Sequence, residues 1–168
     1  MSPRSTTATA LSDATDAPAR QPLDEVSKKI IEQLQEDGRR PYAAIAASVG
    51  LSEAAVRQRV QRLVRSGVMQ IVAVTDPLQL GFGRQAMVGI NVDGGIQPVA
   101  DALAAMDEVI YVVMTAGTYD VLCEVVSTGD EELLDLVSSR IRAVPGVRTT
   151  ETFVYLKLAK QTYSWGVR

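Results

Sequence analysis

Arg57, Gln58, Arg59, Gln61, Arg62 and Arg65 fall within nine residues, and the only acid near them is Glu53. Arginine and glutamine can pair bidentately with guanine and adenine edges in a major groove, and arginine also neutralises phosphates. Arg39 and Arg40 extend the basic character upstream. Residues 39–70 carry six basic side chains and one acidic, net +5, between a leading segment of net −3 and a trailing one of net −5. The whole chain of 168 residues is only −3, so the charge is informative by segment rather than in total. A compact basic block between acidic flanks is the electrostatic outline of a nucleic-acid-binding element. A solvated helix that happens to be arginine-rich gives the same count, but it would more often mix Glu and Lys at i,i+4.

A second constellation lies downstream, where Gly117-Thr118-Tyr119-Asp120 separates two β-branched runs. Asp120 could hold an α-ammonium group, and backbone N–H groups of the turn an α-carboxylate. Gly117 permits a positive φ and a close approach by a ligand. Thr115, Thr150 and Thr152 offer hydroxyls on neighbouring strands. Together they could clamp a free amino acid. The alternative is a tight hairpin in which Asp120 bonds only to its own turn.

Other chemistry is limited by what is missing. The chain has no histidine and a single cysteine, Cys123. That removes the commonest general base, the commonest metal ligand and every His-containing triad. It also removes intrachain disulfides and cysteine-cluster zinc sites. Nothing basic flanks Cys123, which reads as a buried strand residue. Gly81-Phe82-Gly83 is too short for a phosphate loop, and Tyr155 and Trp165 read as packing or interface residues. No apolar run approaches the ~20 residues of a membrane span, and the first twenty residues lack a signal-peptide core. The expectation is a cytoplasmic protein without a cofactor, metal or membrane partner.

The elements that must position these residues follow from periodicity. Residues 1–20, rich in Ser, Thr, Ala and Asp, read as a disordered tail. A helix starts near Leu23 with Asp24 as N-cap, and Val26, Ile30, Ile31 and Leu34 form its apolar face up to Asp37-Gly38. Pro41 suits the first position of a second helix that stops at Gly50. Ser52 caps a third helix running to about Ser66 and closed by Gly67. On a wheel of ~100° per residue, Val56, Val60, Leu63 and Val64 make an apolar stripe. Arg57, Gln58, Gln61, Arg62 and Arg65 lie opposite it, with Arg59 at the edge. This is a helix-turn-helix over residues 21–69, and the β-branched run Val68–Val74 predicts a strand beside it, a winged variant. Residues 70–83 then read as linker strand and hinge. From residue 84 to 168 the pattern changes to β-α-β-β-α-β, the split βαβ unit of ferredoxin-like folds, with both helices on one side of the sheet. Asp130 is placed to cap the second of these helices, with Leu133, Leu134, Val137 and Ile141 on its buried side. The last strand is expected over Val147–Leu158. Met87, Ile90, Val112, Met114 and Leu122 are expected on the uncovered face, so self-association through the sheet is anticipated. The fold class is α+β.

Leu23-Asp24, Ile30, Asp37-Gly38-Arg39, Ile45-Ala46, Val49-Gly50-Leu51-Ser52, Val56, Arg59-Val60, Leu63 and Gly67-Val68 resemble the Lrp/AsnC family of bacterial and archaeal regulators. So do Gly117-Thr118-Tyr119-Asp120 and Pro145-Gly146-Val147. The resemblance spans residues 22–160. It implies an N-terminal winged helix-turn-helix that binds double-stranded DNA, and a C-terminal effector domain that senses small molecules, chiefly amino acids. It also implies homodimers built through the C-terminal sheets, often assembled into tetramers or octamers, with effector bound between effector domains near Gly117–Asp120. Two positions depart from the family pattern: Ser27, where an Asp often stands, and Pro41, where Ser or Thr often starts the second helix. The candidate DNA-binding residues are Arg39, Arg40, Ser52, Arg57, Gln58, Gln61, Arg62 and Arg65. The candidate effector residues are Thr115, Gly117, Thr118, Tyr119, Asp120, Thr150 and Thr152. The expected function is amino-acid-dependent control of transcription, directed at amino-acid metabolism genes, with no enzymatic step. A DNA-packaging protein without an effector is the alternative. An enzyme on the same scaffold is a third reading. Some sirohaem decarboxylases resemble the family, but their chemistry is expected to need histidine.

Overall fold

The computed structural model describes residues 22–162 and 166–167. The tail expected over residues 1–20, and Trp165, lie outside them. Contacts divide the chain into two compact units, the second spanning Val74–Lys160. The described residues from Gln161 onward group with the first unit.

The first unit is three helices, α1 (Glu25–Glu36), α2 (Tyr42–Val49) and α3 (Glu53–Arg65). α1 and α3 start at a capping side chain. Asp24 accepts from the Ser27 backbone N–H at 2.7 Å, and Ser52 accepts from that of Ala55 at 3.2 Å. Pro41 sits one position earlier than expected, at the N-cap of α2, in extended backbone. Its ring suits that site because its φ is preset and no N–H is needed. Gly50 then takes φ 70° and turns the chain from α2 into α3. Such a value is open to glycine without the penalty a Cβ would bring. Ile30, Leu34, Ile45, Ala46, Val56 and Val60 close a common core. Val64 completes the α3 stripe only in part and is 42% exposed.

The wing strand is absent. Residues 68–76 are irregular, and Ile71, Val72 and Val74 are exposed. β-branched composition favours a strand only when a neighbouring strand accepts its hydrogen bonds, and none pairs with this segment among the described residues. The linker instead holds a 3₁₀ turn, Pro77–Leu80, capped by Asp76, which accepts from the Leu78 N–H at 3.0 Å. Gly83 is no loose hinge, since a Cβ there would lie 2.5 Å from the Thr128 carbonyl oxygen.

The second unit runs β1 (Arg84–Val92), α4 (Ile96–Ala104), β2 (Val109–Met114), β3 (Val121–Ser127), α5 (Asp130–Asp135) and β4 (Val147–Val154). The sheet order is β2-β3-β1-β4, antiparallel throughout, as the split βαβ reading requires. Val99, Leu103, Leu133, Leu136 and Ile141 from the helical segments pack on Ala86, Val88, Ile90, Val121, Cys123 and Val125. Strand register therefore turns Ile90 and Val112 to the helix side, correcting their expected place on the open face. Met114 pairs with Val121, so it shares that side, at 49% exposure. Met87 and Leu122 do lie on the open face. Gly129, not Asp130, occupies the N-cap of α5, while Asp130 pairs with Arg84. Leu134 is 67% exposed and Leu136 is buried in its stead. A π-helical turn, Leu136–Ile141, follows α5 and lengthens the spacing there, bringing Leu136 and Ile141 onto the core together. β4 stops at Val154, and Leu156 beyond it is 97% exposed.

Candidate functional site

On α3, Val56, Val60 and Leu63 face the core and leave Ser52, Arg57, Gln58, Gln61, Arg62 and Arg65 at the surface. The expected stripe is therefore real, with Arg57, Gln58, Gln61, Arg62 and Arg65 exposed on the side of α3 away from it. Arg59 has another role. Its guanidinium donates to the Asp24 carboxylate at 2.6 Å and to the Ser27 hydroxyl at 3.2 Å, tying α3 to the start of α1. That guanidinium holds the Asp24 carboxyl down to about 2. Ser27, the departure from the family pattern, thus serves the same staple.

The remaining basic groups are partly engaged. Arg65 donates from Nε to the Gln61 carbonyl at 3.3 Å, and Arg40 donates to Glu36 at the same distance. Arg39 is exposed, its backbone N–H donating to Asp37 at 2.9 Å. Arg57 donates to Glu53 at 2.7 Å and its guanidinium carbon stands 5.3 Å from the Tyr42 ring centroid. The i,i+4 spacing of Glu53 and Arg57 was visible in the chain. Nothing local pointed to Tyr42, because its approach depends on the angle between α2 and α3.

In the second unit the β2–β3 loop is tied to the sheet by hydrogen bonds that converge on Asp120. Its carboxylate accepts from the Val92 N–H at 2.8 Å, its own N–H donates to the Ile90 carbonyl at 3.0 Å, and its carbonyl accepts from Thr115 at 2.9 Å. The Thr115 hydroxyl donates to the Tyr119 carbonyl. Thr115, Tyr119 and Asp120 are thus brought together, with Gly117 and Thr118 exposed at the tip. Gly117 does not use the positive φ open to it, and a Cβ there would meet nothing within 4 Å.

Thr150 and Thr152 pair with Ile90 and Val88, so they share the helix side of β4. Thr150 lies in the same row as Ile90, beside the Asp120 attachment, and Thr152 lies one row further away. Tyr119 turns the other way. Its ring lies against Gly89 on the open face, edge-on to Phe153 with centroids 6.2 Å apart, and its hydroxyl donates to Glu151. The Glu151 carboxylate pushes the Tyr119 phenol above its ordinary value. Glu151 was not among the expected site residues. Its signal was the alternation of β4, which puts it on the open face between Thr149 and Phe153. That face also carries Tyr111, Leu122 and Met87, with Glu124 accepting from Gln85 at 2.6 Å.

Among the described residues, no group of three or more His, Cys, Asp or Glu side chains is placed to hold a metal ion. No helix among them is long and apolar enough to cross a membrane. Burial pushes the Cys123 thiol up to about 12.

Residues 23–64 match the AsnC-type helix-turn-helix domain, and residues 82–168 match a C-terminal dimeric α+β barrel domain of AsnC-type regulators. The chain is 38% identical over 148 residues to the HTH-type transcriptional regulator FL11 of Pyrococcus horikoshii, covering 85% of this chain and 95% of that one. Its fold is similar to the Mycobacterium tuberculosis leucine response regulatory protein, at a TM-score of 0.75 and 30% identity over 83% of this chain and 96% of that one. It is also similar in fold to a Neisseria meningitidis transcriptional regulator solved in complex with L-Met, at a TM-score of 0.74 and 24% identity over 85% and 96% of the two chains. With both domains matched in order, the chain belongs to the Lrp/AsnC family of DNA-binding transcriptional regulators.

Proposed function

We propose that this regulator senses a free amino acid at the β2–β3 loop and thereby controls genes of amino-acid metabolism. Ser52, Arg57, Gln58, Gln61, Arg62 and Arg65 of α3 contact operator DNA in the major groove, with Arg39 and Arg40 on flanking phosphates. The exposure of Arg57, Gln58, Gln61, Arg62 and Arg65 along one side of α3 supports this role. Two such faces are presented by a dimer joined through the open side of the β-sheet, where Tyr111, Leu122 and Phe153 supply apolar area. Such dimers can assemble further into tetramers or octamers.

The observation that carries the effector reading is the attachment of Asp120 to β1, which fixes a loop whose tip, Gly117 and Thr118, is left exposed. A rigid loop with room at its tip suits a small zwitterion, whose carboxylate can meet backbone N–H groups. One Asp120 oxygen is held by Val92, and the carboxylate retains acceptor capacity for an ammonium group. Thr115 and Tyr119 shape the loop, Thr118 lies at its exposed tip, and of the β4 threonines Thr150 lies in the row of the Asp120 attachment while Thr152 lies one row further from it. The bound L-Met of the Neisseria regulator is consistent with a ligand of this class.

The test is a thermal-shift screen of the purified chain against the twenty amino acids and a few 2-oxo acids. A ligand present at ~100 times its dissociation constant stabilises the folded state by ~2.7 kcal/mol. One compound should raise Tm by several degrees, and Gly117→Val should remove the shift. No shift with any compound would turn the assignment toward a DNA-organising protein without an effector.

A further inference from the structure

Arg57 is held from two sides before any DNA arrives. Its guanidinium donates to Glu53, one turn earlier on α3, at 2.7 Å. The same group stands over the Tyr42 ring, at 5.3 Å from its centroid, and Tyr42 is the first residue of α2. A phosphate contact asks little of orientation, because a positive point charge suffices. A guanine contact asks much more, because two parallel N–H groups must meet O6 and N7 in one plane. Stacking on an aromatic ring and a hydrogen bond to a carboxylate fix the plane and the turn of the fork, respectively. The placement of Glu53 also needs a reason. A carboxylate on a face that meets phosphates is repelled by them, and the helix dipole offsets only part of that. Arg59, by contrast, is spent on Asp24 and Ser27.

We propose that Arg57 reads one guanine in each half-site, and that Tyr42 and Glu53 are positioning residues that set its fork. This rests on the reading of α3 as the DNA interface. It adds two residues that contact no base and nonetheless shape sequence preference.

The experiment is in vitro selection from a random duplex library with the full chain, followed by affinity and salt-dependence measurements on the enriched site. It is run for wild type, Arg57→Lys, Glu53→Gln, Tyr42→Phe and Tyr42→Leu, with circular dichroism confirming that each folds. Arg57→Lys keeps the charge and loses the fork. It should lose preference at one guanine per half-site, with affinity for the enriched site falling about 5- to 150-fold and the salt slope unchanged. Tyr42→Phe keeps the ring and should keep the preference. Tyr42→Leu and Glu53→Gln should each blur that same position and no other. If Arg57→Lys retains both the guanine and the affinity, or if affinity falls equally for all sequences, the proposal is overturned while α3 remains the DNA interface. If wild type enriches no sequence, the interface reading falls with it.

Discussion

Gly89→Ala tests whether the β2–β3 loop is seated on the sheet as described. A Cβ at position 89 would lie 2.7 Å from the Tyr119 Cγ and 2.8 Å from both Cδ atoms. Carbon atoms in contact prefer roughly 3.5–4.0 Å, so the ring must retreat by about 1 Å. It cannot do so without cost, since its edge meets Phe153 and its hydroxyl is bonded to Glu151. Gly89 is itself buried in the central strand β1. Overpacking of this kind costs about 1–3 kcal/mol. The assay is urea denaturation at fixed protein concentration, followed by circular dichroism, because dimer stability depends on concentration. The decisive comparison is the same substitution in a Tyr119→Ala background, where the obstacle is gone. There Gly89→Ala should cost almost nothing, a non-additivity that contacting residues produce. Equal costs in both backgrounds, or no cost in either, would refute the placement of Tyr119.

Other outcomes follow from single contacts. Asp24 titrates at about 2 in the folded chain against an ordinary 3.8, because Arg59 donates to it. A depressed folded value means the stabilisation is present above about pH 4 and is lost as pH falls from about 4 to about 2. The Asp24 side chain is 54% exposed, so screening reduces the contribution to about 1 kcal/mol, which Arg59→Ala should remove in denaturation curves above pH 5. Gly83→Ala would set a Cβ 2.5 Å from the Thr128 carbonyl oxygen and should cost about 1–3 kcal/mol, read as a lowered Tm. The Cys123 thiol, fully buried and pushed up to about 12, should resist a thiol reagent at pH 8 until the domain unfolds.

Much of this architecture could be read from local chemistry. Asp24 and Ser52 announce helix starts because capping needs only their own side chains and the N–H groups three residues on. The Arg/Gln face of α3 was equally legible, since one helix defines it. What escaped was whatever depends on a second element. Val68–Val74 looks like a strand in composition, yet among the described residues no strand pairs with it. Ile90 and Met87 are both apolar strand residues, and only pairing with β3 and β4 shows which faces the helices. The turn at Leu136–Ile141 exchanged Leu134 for Leu136 in the core. At the β2–β3 loop, the sequence singled out Thr115, Tyr119 and Asp120 as candidates but did not show how they are engaged. Asp120 bonds across to β1, a contact 28 residues away in the chain. Glu151 and Tyr42 went unnoticed for the same reason.

An amino acid held at the β2–β3 loop should alter DNA binding. The most direct test is fluorescence anisotropy of an enriched DNA site, titrated with the chain at constant salt, with and without each amino acid. Coupling between two sites is typically about 1–3 kcal/mol, so one amino acid should change DNA affinity about 5- to 150-fold. Reciprocally, DNA should change the affinity for that amino acid by the same factor. Unchanged DNA affinity across the whole panel, from protein that binds the site tightly, would mean that no amino acid at this loop is coupled to DNA binding.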